Sequence, residues 1–238
     1  IAVSSGSRLA LLGENGSGKT TLLRCLSGAH GPTAGRVVVD GIALSHNASG
    51  LRDHRQRVQL VLQDPDDQLF SADVRADVSF GPINLGLDDA EVRVRVAEAL
   101  ELLDVTELAD RPVHQLSYGQ RKRVAIAGAV AMRPQVLLLD EPTAGLDPRA
   151  VTTLRAALSN LEARGTTVVV STHDIDFAWE WADEVGVVVD GIVHQGSTVK
   201  IMTDEALLGR AHLGVPWPVR LLRSLGHEID VVAPPRTV

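Results

Sequence analysis

Cysteine, lysine and aromatic residues are scarce in this chain, and no apolar run is long. A single cysteine, Cys25, stands in 238 residues. No disulfide framework can form, which suits a reducing cytosol. Cys25 falls in the first predicted helix and reads as a small core residue, since nothing marks a lowered thiol pKa. The longest apolar stretches are strand-length, Val136–Leu139, Val168–Val170 and Val187–Val189. A membrane span needs roughly 18 consecutive apolar residues, so none is expected. No signal-peptide pattern appears. Ile1 lies within a few residues of the first predicted strand, and we expect a trimmed N-terminus there.

The charge balance is acidic, with 23 basic and 30 acidic residues and a net charge of -7. A nucleic-acid partner would favour the opposite balance, so none is expected. With 45% hydrophobic and 22% charged residues the composition is globular, enough for one large domain or two small lobes. Of the basic residues three are lysines, Lys19, Lys122 and Lys200. A lysine in a motif is therefore not background.

Lys19 belongs to Gly13-Glu14-Asn15-Gly16-Ser17-Gly18-Lys19-Thr20, which reads G-x-x-x-x-G-K-T, the phosphate-binding loop between a strand and a helix. The context agrees. Arg8–Leu12 is a short apolar run before the loop, and Thr20, Thr21 and the residues to Leu26 have helical spacing that stops at Gly28. The glycines let successive N–H groups turn inward on anionic oxygens, and the helix adds its positive end. Lys19 supplies a charge for the β- and γ-phosphates, and Thr20 a hydroxyl for Mg²⁺.

Further along, strands are predicted at Arg36–Gly41, Val58–Leu62, Val136–Leu139, Thr166–Val170 and Val185–Val189. Runs this apolar require both faces covered, as in a parallel sheet flanked by helices. His46 to Gln56 is polar and reads as a loop with a short helix, and His46 and His54 read as surface residues. Between the third and fourth strands the pattern turns helical. One short helix covers Ala72–Phe80 and is stopped by Gly81-Pro82. Another is capped by Asp88, with Glu91 at the capping-box position, and a short turn of helix lies near Thr106–Ala109. Asp147 and Asp174 start two later helices, and a short helix lies near Asp204–Leu208. Beyond it the tail, with Pro216, Pro218, Pro234 and Pro235, carries no readable motif.

Two more constellations carry chemistry. Asp140 and Glu141 end an apolar strand, at the edge where ligands bind in such sheets. Asp140 is placed to hold Mg²⁺ through water, and Glu141 to orient or deprotonate an attacking water. Ser117-Tyr118-Gly119-Gln120 precedes a long helix, Arg121–Met132, and Ser117 with Gln120 makes a capping box. That motif either only starts a helix or forms a second anion site. The second reading gives one chain two phosphate-binding helix ends, which suggests two copies meeting head to tail. Arg121, Lys122 and Arg123 read as a solvated face.

In order and spacing, Gly13–Thr20, Gln63, Leu116–Gln120, Asp140–Glu141, Gly145–Asp147 and His173 resemble the ATP-binding cassette ATPases. The resemblance implies an α/β fold: a RecA-like core with a mostly parallel sheet, an N-terminal antiparallel β portion and an inserted helical subdomain. It implies a core from residues 1–63 and 134–203, a helical subdomain at 64–133 and a C-terminal extension at 204–238. It further implies ATP and Mg²⁺ as ligands, with Lys19, Thr21 and the loop amides on the phosphates. Thr20, Asp140 and Gln63 would serve Mg²⁺. Glu141 would be the catalytic carboxylate, His173 would reach the γ-phosphate, and Gln63 would link metal and water to the helical lobe. Ser117, Tyr118, Gly119 and Gln120 would face the nucleotide of a partner cassette, and Asp147 would cross that interface. Asp147 before Pro148 is equally a plain N-cap, and His173 equally a loop histidine.

Gln63–Phe70 and Asp77–Pro82 are similar to the ATPase subunits of energy-coupling-factor importers, and Tyr118 agrees with that subgroup. That implies uptake of cobalt, nickel or a vitamin, a second ATPase as homodimer or heterodimer partner, and an integral-membrane subunit docking near Asp64–Phe80. The protein would then sit at the cytoplasmic face of the membrane. The alternatives are another transporter class or a soluble ATPase of the same fold. The family usually stacks adenine on an aromatic residue upstream of the first strand. Here the first aromatic is Phe70, so we expect that residue to have been cut away, with weaker ATP binding in its absence.

Overall fold

The computed structural model describes residues 1–226. In chain order its elements are β1 (Arg8–Leu12), α1 (Lys19–Leu26), β2 (Val38–Val39), β3 (Ile42–Ala43), α2 (Ala48–Arg57), β4 (Val58–Val61), α3 (Val74–Asn84), α4 (Asp89–Leu102), α5 (Tyr118–Ala131), β5 (Val136–Asp140), α6 (Pro148–Ala163), β6 (Thr167–Thr172), α7 (Ile175–Trp181), β7 (Glu184–Val189), β8 (Ile192–Ser197), α8 (Thr198–Met202), α9 (Glu205–Arg210) and α10 (Trp217–Ser224).

One sheet of order β4-β5-β6-β1-β7-β8 runs through the centre. The first five strands in that order are parallel, and β8 closes the edge antiparallel to β7. Side chains alternate across a strand, and the alternation sorts the strand residues into two cores. Leu9, Leu11, Leu138 and Val169 pack with Leu23 of α1 on one face. Ala10, Leu12, Leu137, Leu139, Val168 and Val170 join the side chains of α3 to α7 on the other. Both faces are dry, which is why these strands read as unbroken apolar runs.

The structure revises several expectations. The predicted strand at residues 36–41 reduces to Val38–Val39, paired with Ile42–Ala43. Asp40 and Gly41 both have positive φ, as a tight hairpin turn requires, and exposed Val38 and Ile42 have no sheet to extend along. Pro82 does not end α3 but sits in its last turn, where its missing N–H costs a single helical bond. Asp88 caps α4 as expected, yet the Glu91 carboxylate turns away to Arg95 and Arg133 instead of closing the box. Helix α5 begins three residues earlier than expected, at Tyr118. His54 is buried, 6% exposed, with Nε2 2.7 Å from the carbonyl oxygen of Leu26. Cys25 is half-buried rather than fully in the core. Strand β8 and helices α8 and α10 were not anticipated, and Pro234 and Pro235 lie outside the described residues.

Leu138 is 1% exposed in the middle of β5, between α1 and the neighbouring strands. Leu138→Ala should lower the unfolding free energy by about 2–5 kcal/mol through lost burial and a residual cavity. Urea denaturation checks this, and a loss under about 1 kcal/mol would mean that the sheet is not packed on both faces here.

Candidate active site

The loop after β1 is shaped by what cannot fit. A Cβ at Gly13 would lie 2.6 Å from Ser17 Oγ and 2.8 Å from the carbonyl oxygen of Val188, so only glycine is accommodated. Gly18 caps α1 with φ 103°, a left-handed conformation that suits glycine. It brings no side chain to the first N–H groups of α1. Helices α2, α3, α4, α5 and α6 are capped by the side chains of Asn47, Asp73, Asp88, Ser117 and Asp147. The donors at the start of α1, from Lys19, Thr20 and Thr21, are left for an anion.

Lys19 is 6% exposed, and its Nζ donates to the carbonyl oxygens of Gly13 at 2.6 Å and Glu14 at 3.1 Å. The ammonium is thereby held inside the loop. Ser17 Oγ is buried without a hydrogen-bond partner among the described residues. Asn15 and Gly16 stand exposed at the rim, and Glu14 Oε2 lies 3.0 Å from His212 Nδ1.

Strand β5 delivers Asp140, 3% exposed, to the same place. Its two oxygens are separately engaged: Thr20 Oγ1 donates to Oδ2 at 2.7 Å, and Ser171 Oγ donates to Oδ1. Ser171 lies opposite Asp140 in the register of β5 and β6. Sequence reading missed it, although a serine closing a run of valines two residues before His173 was a visible signal. The next residue, Glu141, has φ 45°, in the left-handed region. Its N–H donates to the Ser171 carbonyl oxygen at 3.0 Å. Glu141 Oε2 meets His173 Nδ1 at 3.0 Å, while Oε1 is buried with no partner among the described residues.

At the other end of the site, Ser117 and Gln120 close the capping box at the start of α5. The Tyr118 hydroxyl donates to the Gln63 carbonyl oxygen at 3.2 Å. Burial raises the Tyr118 phenol pKa, and the charges of Asp64 and Asp66 add to it. The Gln63 side chain makes no hydrogen bond with a described residue. A Cβ on Gly145 would come within 2.8 Å of the Tyr118 ring, and one on Gly119 within 3.3 Å of Leu146. The first turn of α5 therefore rests on the loop leading to Asp147, whose carboxylate caps α6 through the Ala150 N–H at 2.8 Å.

The expectation that Arg121, Lys122 and Arg123 form a solvated face is wrong. Arg121 pairs with Asp66 at 2.8 Å, and Arg123 donates to the carbonyl oxygens of Leu103 and Asp104. Lys122 is 1% exposed, and its Nζ donates to the carbonyl oxygens of Glu141 at 2.5 Å and Ala144 at 3.2 Å. Burial lowers its pKa to about 8, against the pull of Glu141, Asp140 and Asp64.

Lys19, Thr20, Asp140, Glu141 and His173 thus gather at the carboxyl ends of β1, β5 and β6, joined by Ser171. Among the described residues Ser117, Gly119 and Gln120 form no hydrogen bond with the phosphate loop, and Tyr118 and Gly119 lie instead against Gly145 and Leu146.

The sequence profile of the ABC transporter family matches residues 1–144. A cobalt import ATP-binding protein, CbiO, of Rhodobacter capsulatus is 52% identical over 94% of this chain and 80% of its own length. An energy-coupling factor transporter ATP-binding protein, EcfA, of Methanosphaera stadtmanae is 42% identical over 96% of this chain and 83% of its own. Among solved structures, CbiO1 of Clostridium perfringens, part of an ABC transporter complex, superposes with a TM-score of 0.79 at 40% identity, over 94% of this chain and 90% of that one. A dimeric ATP-binding cassette bound to ADP and phosphate superposes with a TM-score of 0.75 at 29% identity, over 83% of this chain and 88% of that one. With its phosphate loop and its paired carboxylates closing one site, the chain belongs to the ABC transporter family, as one of its ATP-hydrolysing cassette subunits.

Proposed function

We infer that the chain powers an importer as one of two cassettes that close head to tail on Mg·ATP. The observation that carries this is Glu141, held at one oxygen by His173 and leaving the other buried and unpaired. An unpartnered buried carboxylate oxygen is costly unless a ligand comes to it, and Glu141 directly follows Asp140, which accepts from Thr20. The residues fit Mg²⁺. Thr20 and Asp140 offer hard oxygen donors 2.7 Å apart. Among the described residues no group of three or more His, Cys, Asp or Glu could hold a metal by itself. A site with few protein ligands suits an ion that keeps its waters and shares the oxygens of a nucleotide.

Each residue then has one task. The loop amides and Lys19 bind the phosphates, with Thr21 at the rim. Thr20, Asp140 and Gln63 hold Mg²⁺, which when bound draws charge from the phosphoryl oxygens. Glu141 Oε1 accepts the proton of the attacking water. His173, anchored through Nδ1, turns Nε2 towards the γ-phosphate. Ser117, Tyr118, Gly119 and Gln120 grip the partner's nucleotide, with Asp147 at the interface; the partner is this chain or a related one. This follows the division into a core at 1–63 and 134–203, a helical part at 64–133 and an extension at 204–238.

The importer reading rests on the relatives and on a groove of about 800 Å³ beside α3 and α5. Phe70 and Phe80 stand over it, 65% and 50% exposed, with their rings edge to face at 4.7 Å. Asp77 pins the segment by accepting the N–H groups of Phe70 and Ser71 at 3.0 and 2.9 Å. Exposed aromatic side chains over a groove suit an amphipathic helix, here one from an integral-membrane subunit. No described helix is long and apolar enough to cross a membrane itself, which fits a peripheral subunit at the cytoplasmic face. The cargo proposed is a transition-metal ion, cobalt or nickel, or a vitamin.

Glu141→Gln should keep ATP binding and ATP-dependent dimerisation, and lose hydrolysis by about 10²-fold or more. Phosphate release and size-exclusion chromatography measure both, and unchanged turnover would refute the role. In that background Ser117→Arg should abolish the ATP-dependent dimer, while persistence of the dimer would remove the head-to-tail arrangement. Phe80→Glu should break co-purification with the membrane subunit and leave the ATPase rate of the isolated chain within about twofold; retained co-purification would move the docking surface elsewhere.

A further inference from the structure

Lys122 is a buried cation that none of the roles above uses. It stands on α5 one and a half turns from Ser117, a rise of about 7.5 Å along a continuous helix. Its Nζ reaches across to the carbonyl oxygens of Glu141 and Ala144. Those two carbonyls bracket the turn between the carboxylate strand and the loop to Asp147. Glu141 itself is clamped from both sides: its N–H by the carbonyl of Ser171, its carbonyl by Lys122 and by the Ala144 N–H at 3.2 Å. A non-glycine residue at φ 45° persists only where its surroundings impose that conformation. Lys122 supplies the imposing contact on the α5 side. The Tyr118 ring against Gly145 and Leu146 against Gly119 press the same helix on the same loop.

We propose that Lys122 is a positioning residue. It ties the helix whose start grips the partner's nucleotide to this chain's own Glu141, so that closure at one site sets the carboxylate at the other. The inference rests on the dimer reading given above and names the side chain through which the two sites communicate. Nζ is spent on backbone acceptors. It acts by holding two carbonyls, and what matters is hydrogen-bond donation at that point, which a neutral amide one bond shorter can also supply.

The test uses the full chain with Lys122→Met, which removes the donor, and Lys122→Gln, which keeps one. Hydrogen exchange at the amides of residues 143–146 is measured without nucleotide, and kcat and KM with Mg·ATP. In Lys122→Met we expect faster exchange at those amides and a kcat lower by about tenfold or more, with KM changed by less than about threefold. In Lys122→Gln we expect exchange and kcat within about threefold of wild type. In Glu141→Gln, Mg·ATP should slow exchange at residues 143–146, and in Glu141→Gln/Lys122→Met it should not. Unchanged exchange and kcat in Lys122→Met would overturn the proposal, as would a KM that rises in step with the loss, or a Lys122→Gln as impaired as Lys122→Met. Should Lys122→Met not fold, Lys122→Gln decides: protected amides with normal kcat support the proposal, and protected amides with a tenfold loss overturn it. The nucleotide-free exchange reads the lysine's bond whether or not the dimer forms, so failure of the dimer reading shows separately, as absence of ATP-dependent association in Glu141→Gln.

Discussion

A carboxylate 3% exposed must be hydrogen-bonded or give up its charge. Asp140 meets that condition through two hydroxyls, Thr20 from α1 and Ser171 from β6. Three segments distant in sequence are thereby fastened to one point at the carboxyl end of the sheet. Leaving either acceptor unmade would cost roughly 1–3 kcal/mol, so the phosphate loop, the carboxylate strand and the strand between them hold one arrangement. Strand order serves this. With β6 between β5 and β1, Ser171 falls opposite Asp140 while α1 reaches over from the far side.

The helix ends divide in the same spirit. Most helices spend a side chain on their first turn, so their positive ends are satisfied locally. Helix α1 has only Gly18 there, and its donors face the loop that Lys19 already charges. The amides of α1, Ser17 Oγ and Glu141 Oε1 keep hydrogen-bond capacity that no described residue takes up. Polar groups left open in a well-packed interior mark where a ligand belongs, and this set is the one proposed for a triphosphate with its ion and water.

Helix α5 has the opposite character. Its start is closed by a capping box, its body is buried among α3 and α4, and its basic residues are bound to named acceptors. It carries the motif that would face a second cassette, flanks the groove that would face a membrane subunit, and holds the backbone of Glu141, the carboxylate proposed as catalytic. A stiff element touching all three is a physical route by which events at one surface reach another.

Much of this was legible beforehand because it is local. The phosphate loop, the Asp140–Glu141 pair and the caps at Asp88, Ser117 and Asp147 depend on residues a few positions apart, and the apolar strands announce a sheet covered on both faces. Lys122, His54 and Ser171 were misread or missed because their surroundings come from elsewhere in the chain. A lysine between two arginines looks solvated until the Glu141–Ala144 turn folds over it. A histidine in a polar stretch looks exposed until the Leu26 carbonyl meets it. The sequence by itself determined most of the strands and helices, though not β8, α8 or α10, and named the candidates for phosphate contact, since period and spacing are properties of neighbours. The order of the strands, the burial of single polar side chains and the clamp on Glu141 were decided by tertiary structure alone, because a side chain's solvation depends on which distant backbone comes to lie against it.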